Sequence, residues 1–557
     1  MSEIYKYIIF ALIIIFSMLL TEKYIKYRWK KIVKKDIIKS YGTRYHLEKE
    51  YVYKDKNNKS FFENTKGENF YIDDITWNDL EMESIFEIIG NTRTSIGREV
   101  LYKMLRTPSF SKSEIEKREN LIKFFSDNEK ERFNIQVILS SIGFENSARL
   151  SDYFKKIDVF ITKGYIFDIL RWSLIIFIFL SFINLKLVVL LVLNIIVNIF
   201  IHFRIEKLVQ YRMKDYMYMN IMINNALKIY KKNIKEINDK FDKLDKSFKK
   251  VKDLRNKRVG KKESNINNEL EVIGEYFKII TLSKVINFIE IENIIKNEGD
   301  SIREIYEFIG SIDSFISIAS FRKTIEYSNP KFEKEKIISF KEIYNPLIKN
   351  PIKNSLETKE DILITGSNAS GKSTFLRSIG LNCILAQTIN TVCAKEFKTS
   401  FFKIYSSMAL SDNIFKNESY YIAEIKSIKR ILDGSKSKEY SICFIDEVLR
   451  GTNTLERIAA STEILNMLSE NEQFICFGAT HDIELTYILE NKFKNYNFEE
   501  CIEDNRIRFD YKLKKGPSKT RNAIKMLELI GYDKQITETA EENIKFFIKN
   551  NKWKKLN

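Results

Sequence analysis

The sequence predicts an α/β nucleotide-binding domain in the C-terminal part of the chain. Before it the sequence predicts an all-α domain interrupted by a transmembrane helical hairpin, and a further transmembrane helix at the N-terminus. Three observations predict this. The apolar run Ile362-Leu363-Ile364 leads straight into a glycine-rich stretch, Gly366 to Thr374. Two long apolar segments, Ile8–Leu20 and Ile166–Phe203, stand apart from a charged background. Around the second of them the apolar positions recur at helical period. The expected division is a transmembrane helix over 1–22, a basic juxtamembrane linker over 23–72 and a first helical part over 73–163. A hairpin over 164–205, a second helical part over 206–330 and the nucleotide-binding domain over 331–557 complete it.

Ile8–Leu20 is unbroken by charge and is extended by Ile4–Tyr7 with one lysine, long enough to cross a bilayer if Lys6 snorkels. A cleaved signal peptide would show a small-x-small cleavage site, and none follows. The next residues include Lys23, Lys26, Arg28, Lys30, Lys31, Lys34 and Lys35, a positive flank that stays on the cytoplasmic side.

Ile166–Phe203 has 38 residues, with Asp168, Arg171, Lys186 and His202 as its only ionisable members. One crossing needs roughly 20 residues, so this length suits two, with Asn184-Leu185-Lys186 at the turn. The alternative is one long buried helix, but Leu174–Ile183 shows no polar stripe at helical period. A hairpin entering and leaving from the cytoplasm keeps both flanks on one side, with Arg204 and Lys207 marking it.

The segment 73–163 reads as helical, broken at Thr107-Pro108, with Ser111 or Ser113 able to cap the next helix. Glu206–Lys262 is charged and proline-free, with apolar positions at Leu208, Met213, Ile221 and Ile229, which predicts long lever-like helices. Gly260–Asn268 is the expected loop between arms, and Val272–Phe321 returns to amphipathic helix.

The glycine-rich stretch Gly366-Ser367-Asn368-Ala369-Ser370-Gly371-Lys372-Ser373-Thr374 carries the chemistry. Placed between a strand and a helix, its two flanking glycines let successive N–H groups face phosphate. Lys372 would reach the outer phosphates, and Ser373 would hold Mg²⁺. A second buried run, Ser441–Ile445, ends in Asp446-Glu447. That order sets Asp446 near Mg²⁺ and Glu447, the candidate catalytic base, beside the attacking water. A third run, Phe474–Ala479, ends in Thr480-His481-Asp482. His481 is one of three histidines in the chain. A lone histidine is ordinarily a surface or core residue, but at a strand tip beside such a pair it is placed to sense a γ-phosphate. Arg450-Gly451-Thr452-Asn453-Thr454, directly after the second run, is a polar loop of the kind that crosses dimer interfaces.

These motifs, read as TGSNASGKST, FIDEVLRGTNT and FGATHDIELT, closely resemble the ATPase domain of the MutS DNA mismatch-repair family, a branch of the ABC-type ATPases. The likeness continues upstream in Tyr344-Asn345-Pro346-Leu347 and Lys353-Asn354-Ser355, and downstream in Phe509–Gly516, Arg521-Asn522-Ala523 and Ile530-Gly531-Tyr532. Trp77–Glu81, Arg93–Gly97 and Leu105–Pro108 resemble the opening of the family's helical core, and Gly310–Phe315 resembles its end. The resemblance implies ATP and Mg²⁺ as cofactors and a homodimer in which ATP on one subunit is closed by a signature segment of the other. Asp412-Asn413 and Ser419–Glu424 are similar to that segment, with Asn413 and Ser419 reaching across. It also implies DNA as a partner. The chain departs from the family in having roughly 72 residues before the core, without a visible Phe-x-Glu motif, which puts direct mismatch sensing in doubt. The expected location is the cell membrane, multi-pass, with the ATPase domain in the cytoplasm.

Three function classes follow. The first is a membrane-anchored MutS-like ATPase that binds mismatched or branched DNA and hydrolyses ATP at a dimer interface. The second keeps the ATPase but acts on a protein partner without DNA. The third, a transporter half-subunit, is opposed by three crossings and by the missing Leu-Ser-Gly-Gly signature. The 92 Lys plus Arg against 75 Asp plus Glu give +17, which favours an acidic partner without naming one. Lys249–Lys262 would grip phosphate backbone or serve as a solvated helix face. Cys383, Cys393, Cys443, Cys476 and Cys501 show no paired short spacing, which suits a reducing compartment and no structural zinc.

Overall fold

The computed structural model describes residues 2–48, 58–67, 69–145, 150–154, 164–256, 269–367, 370–408, 420–450, 452–503, 506–518 and 523–555. Two compact units divide the chain: Met1–Asn69, Glu87–Met104 and Glu116–Thr324 form the first, and Phe70–Phe86, Leu105–Ile115 and Ile325–Asn557 form the second.

The first unit is helical among its described residues. Helix α1 (Ser2–Ser40) runs without a break from the apolar N-terminal segment through the basic flank, where the sequence reading placed a linker from residue 23. The basic residues interrupt its apolarity but not its helical propensity, since lysine and arginine are good helix formers. Its C-terminal end is tied down: Ile37 and Ser40 are buried, Arg93 Nη1 lies 2.5 Å from Asp36 Oδ2, and Asn91 donates to Ser40 O at 2.8 Å.

Helix α2 (Ser95–Arg106) starts at a cap built from the other end of the unit's sequence. Thr94 Oγ1 accepts from Gly97 N at 2.8 Å and donates to Asp313 Oδ2 at 2.8 Å, while the backbone N–H groups of Arg93 and Thr94 also donate to that carboxylate. An added Cβ at Gly97 would stand 2.2 Å from Asp313 Oδ2, and one at Gly310 would stand 2.2 Å from Val100 Cγ2. The two stretches that resemble the opening and the end of a MutS core therefore meet at a close helix crossing that only glycine permits.

Helix α3 (Tyr165–Ile183) ends at Asn184, whose side chain accepts from Lys186 N at 3.0 Å, and helix α4 (Val188–Tyr230) returns. The turn falls where the sequence predicts it. Tyr165–Ile183 and Leu185–Glu206 are long and apolar enough to cross a membrane, and both bury few of their side chains. Helix α4 continues as one piece of 43 residues into the helical unit. The expected levers do not extend to residue 262. Past Tyr230 the chain breaks at Asn233 (φ +53°) into Lys235–Lys240, Leu244–Lys250 and Lys252–Asn256. Asparagine tolerates the left-handed region that ends a helix, and the apolar period simply resumes on the other side. Gly260–Asn268, the expected inter-arm loop, lies outside the described residues. Helices α5 (Glu269–Ile280) and α6 (Ser283–Arg322) complete the unit, with a non-helical residue, Glu298, inside α6.

The second unit is built on a six-stranded sheet. In chain order its strands are β1 (Asp361–Gly366), β2 (Lys403–Ser407), β3 (Ser441–Asp446), β4 (Phe474–Thr480), β5 (Phe493–Phe498) and β6 (Lys514–Lys515), and across the sheet they run β6-β5-β1-β4-β3-β2. All pairings are parallel except β6 with β5. β1, β3 and β4 are buried at every position, which explains their uninterrupted apolar sequences: strands covered on both faces need no polar alternation. A four-stranded sheet (Lys331–Phe332, Glu396–Thr399, Ile338–Ile343, Asn354–Thr358) and a two-stranded ribbon (Glu500–Glu503, Arg506–Phe509) flank it.

This unit also takes in 70–86 and 105–115, which the sequence reading grouped with the first helical part. Asp79 accepts from Ser406 Oγ at 2.7 Å and Met408 N at 3.0 Å, and Arg430 pairs with Asp73. Arg106 spans the two inserted segments, donating to Ile72 O at 2.7 Å with its guanidinium 4.5 Å from the Trp77 ring centre.

Candidate nucleotide site

The C-terminal ends of β1, β3 and β4 open on one side of the sheet, the edge at which parallel α/β sheets bind ligands. After β1, Gly366 (φ +150°) and Gly371 (φ +102°) adopt backbone that other residues avoid. A Cβ at Gly366 would stand 2.5 Å from Phe498 O. Helix α7 (Lys372–Ile389) starts directly at the loop, so its first N–H groups face the same space. Within the loop Asn368 and Ala369 lie outside the described residues, whereas Ser367, Ser370, Lys372, Ser373 and Thr374 are placed.

Lys372 Nζ donates to Gly366 O at 2.7 Å and Ser367 O at 2.9 Å, holding the loop closed on itself. Burial pushes its ammonium down to about 8, against the opposing pull of Asp446 and Glu447. Ser373 Oγ donates to Asp446 Oδ2. A hydroxyl and a carboxylate side by side are hard oxygen donors of the kind Mg²⁺ takes together with phosphate oxygens, so this pair fits the expected ion.

Glu447 follows β3 in a left-handed conformation (φ +58°), as does Leu449 (φ +59°). The Glu447 N–H donates to Ala479 O at 2.9 Å, which locks the turn to β4. Its Oε1 lies 2.8 Å from His481 Nε2, and its Oε2 pairs with Arg450 Nε. Burial raises the Glu447 pKa, but the hydrogen bond from His481 and the charge of Arg450 outweigh it and hold the carboxyl below its ordinary value. His481 Nε2 is also 3.4 Å from Lys372 Nζ, so the expected base, sensor and phosphate ligand meet at one point.

Several supporting contacts have no sequence signal, although Glu424 itself lies in the stretch that resembles the signature segment. Glu424, in the first turns of α8 (Tyr420–Ser435), is buried and accepts from Leu449 N at 2.6 Å and Arg450 N at 3.4 Å, fixing the turn that carries Glu447. Arg457, on α9 (Thr454–Ser469), clasps Asp482 with two bonds of 2.8 and 2.6 Å, directly after His481. Ser367 Oγ donates to Glu500 Oε2 at 2.6 Å. Asn413 and Ser419, the expected trans residues, lie outside the described residues.

Lys372, Ser373, Asp446, Glu447 and His481 line one cavity of about 690 Å³. Ile348, Pro351, Ile352 and Tyr511 add apolar and aromatic lining, and the Tyr511 ring packs on the loop, 3.0 Å from where a Cβ on Gly371 would stand. Asn354 positions Tyr511 by donating to its carbonyl at 3.0 Å and accepting from Leu513 N at 2.9 Å. A phosphate-binding loop combined with apolar and aromatic lining suits a nucleotide.

A buried parallel sheet, a glycine-rich loop opening a helix, and an Asp-Glu pair on the neighbouring strand define the second unit as a P-loop nucleotide hydrolase. Residues 362–547 match the family model for MutS domain V, an ATPase domain. The DNA mismatch repair protein MutS of Thermus caldophilus is 28% identical over 258 residues, covering 45% of this chain and 31% of that protein. The same-named protein of Clostridium botulinum (strain Loch Maree / Type A3) is 29% identical over 289 residues, covering 49% of this chain and 31% of that protein. These matches fit a MutS family member through its ATPase domain, and they span about a third of the length of those relatives.

Proposed function

We propose that this chain is a membrane-anchored MutS-like ATPase of the ABC type. It hydrolyses ATP at a homodimer interface and couples hydrolysis to binding of mismatched or branched DNA. The observation that carries the ATPase reading is the convergence of Lys372, Ser373, Asp446, Glu447 and His481 on one cavity. Lys372 and the loop N–H groups would hold the β- and γ-phosphates, and Ser373 with Asp446 would hold Mg²⁺, which would neutralise phosphate charge. Glu447 takes a proton from the attacking water as its oxygen bonds to the γ-phosphorus. The bond from phosphorus to the β–γ bridging oxygen breaks, and ADP leaves with phosphate. His481 donates to the charge that develops on the transferred group. Asn413 and Ser419 of the facing subunit close the site from across the dimer.

The membrane reading rests on the hairpin α3–α4 and on α1, whose apolar side chains Ile9, Phe10, Ile13 and Phe16 are exposed. It sets the chain in the cell membrane with the ATPase domain in the cytoplasm. A second reading keeps the ATPase but gives it a protein partner. It is favoured by α4, which carries the hairpin unbroken into the helical unit where the family resemblance puts DNA-contacting arms.

ATP turnover by the detergent-solubilised full chain, with Glu447→Gln as the blank, tests both readings against no DNA, duplex, mismatched duplex and four-way junction. Stimulation by one DNA form establishes the DNA-responsive ATPase. Robust turnover indifferent to every form moves the function to a protein partner, and no turnover above the Glu447→Gln blank removes the ATPase reading.

A further inference from the structure

Two contacts fix how far the α5–α6 turn reaches along the hairpin. Across the hairpin, Asn194 Nδ2 donates to Ser173 Oγ at 2.7 Å, and on the same face of α4 the buried Asn198 donates to Ile280 O, the end of α5, at 2.8 Å. Asn198 lies eight residues before Glu206, where the apolar span ends. At 1.5 Å per residue that is about 12 Å above the foot of the hairpin. At the foot itself, a Cβ on Gly164 would meet Ile289 Cγ2 at 3.0 Å, so α6 passes the hairpin's base nine residues after Ile280.

The turn between α5 and α6 is packed: Thr281, Leu282, Val285 and Ile286 are buried. The preceding turn of α5 is not, with Tyr276 63% and Phe277 66% exposed. Beside them Glu275 is shared by two lysines, Lys278 at 2.8 Å and Lys284 at 2.6 Å, which leaves a local excess of positive charge. Lys284 lies in sequence between Ile280 and the foot-level Ile289 and pairs with Glu275, so these adjacent exposed aromatics flanked by lysines sit nearer the foot than Asn198 and match the aromatic and basic belt of a bilayer interface.

We infer that α5 is a membrane-surface helix whose Tyr276 and Phe277 enter the headgroup layer of the leaflet that the hairpin enters, with Lys278 and Lys284 facing lipid phosphates. This rests on the membrane reading of α3 and α4. It adds a peripheral lipid contact, pinned to the hairpin by Asn198, that couples the start of α6 to the membrane.

The test uses the full chain in phosphatidylcholine–phosphatidylglycerol nanodiscs, with a fluorophore at Phe277→Cys in a Cys501→Ser background, the other four cysteines being buried. Phe182→Cys, at the far end of α3, and Met467→Cys, on the second unit, serve as controls. Quenching is compared between headgroup-proximal spin-labelled lipid and aqueous iodide. The expected result is at least a twofold preference for lipid quenching at 277 and 182, and for iodide at 467. Iodide quenching at 277 with lipid quenching retained at 182 overturns the inference and leaves the hairpin in the membrane. Iodide quenching at both 277 and 182 overturns the membrane reading and the inference with it.

Discussion

His481 Nε2 lies 2.8 Å from Glu447 Oε1, and Arg450 holds the other oxygen of the same carboxylate. Both oxygens of the proposed base are engaged, so one must be released before it can accept a proton from water. Arrival of a γ-phosphate beside His481 supplies an anion that competes with the carboxylate for the His481 hydrogen bond.

Glu447→Gln keeps the size and hydrogen-bonding reach of the side chain but not its basicity. Turnover should fall by roughly 100-fold or more with ATP affinity little changed, as loss of a general base requires. Single-turnover hydrolysis alongside equilibrium binding of a fluorescent ATP analogue checks this. Turnover within a factor of two of the parent would remove Glu447 from the role.

Lys372→Ala removes the phosphate ligand and should weaken ATP binding by roughly 30-fold to 1000-fold, the range for truncating one member of a buried charge pair. The parent chain has a pH signature as well. Without nucleotide Lys372 titrates at about 8, and bound phosphate raises that value. Above pH 8 binding therefore takes up a proton, and affinity should fall by up to about tenfold per pH unit. Below pH 8 the lysine is already charged and its contribution is flat. Calorimetric titrations at pH 7, 8 and 9 in buffers of different ionisation heat measure both trends, and a pH-independent affinity would contradict the assignment.

Arg457→Ala releases Asp482 and with it the register of His481. The expected effect is a loss of roughly tenfold to 100-fold in kcat with KM nearly unchanged, because a misplaced group costs rate rather than ground-state binding. Arg457→Lys keeps charge without the two-pronged grip and should recover only part of the rate. Equal losses in both variants with a lowered melting temperature would indicate a purely structural role.

Gly97→Ala drives a methyl group into the Asp313 carboxylate and should destabilise the helical unit by roughly 1–3 kcal/mol. Asp313 adds a pH dependence. Burial raises its pKa to about 6, above the unfolded value, despite the opposing hydrogen bonds from Thr94 and Arg93. Its contribution is present in full below the unfolded value and is lost as pH rises through 6. Acidification from pH 7 to 4 should therefore stabilise the parent relative to Asp313→Asn by an amount on the order of 3 kcal/mol. Denaturant melts of both proteins at each pH supply the comparison.

The nucleotide site is legible in sequence because its signals are local. Buried parallel strands such as Ser441–Asp446 need no polar positions, and the loop, the Asp-Glu pair and His481 each adjoin such a strand. The hairpin turn is legible for the same reason, since Asn184 interrupts an apolar run of twice the crossing length. Partners brought in from a distance are not legible. Glu500 on Ser367, Arg430 on Asp73 and Asp79 on Ser406 join positions more than 100 residues apart, and no spacing rule links them. The break after Tyr230 escapes detection because the apolar rhythm resumes on either side of a short turn, Lys231–Asn233, in which Asn233 adopts left-handed backbone.

Helix α4 joins bilayer-length apolar sequence to water-soluble sequence over 43 residues without a proline or glycine. At 1.5 Å per residue it is a rod of about 65 Å, and a tilt of roughly 10° at one end sweeps the other by about 11 Å. With the hairpin in a bilayer, as proposed, and no proline or glycine hinge in the helix, bilayer thickness and curvature would act on the helical unit. The same helix carries the buried Asp215 and Tyr216 side chains into the helical unit.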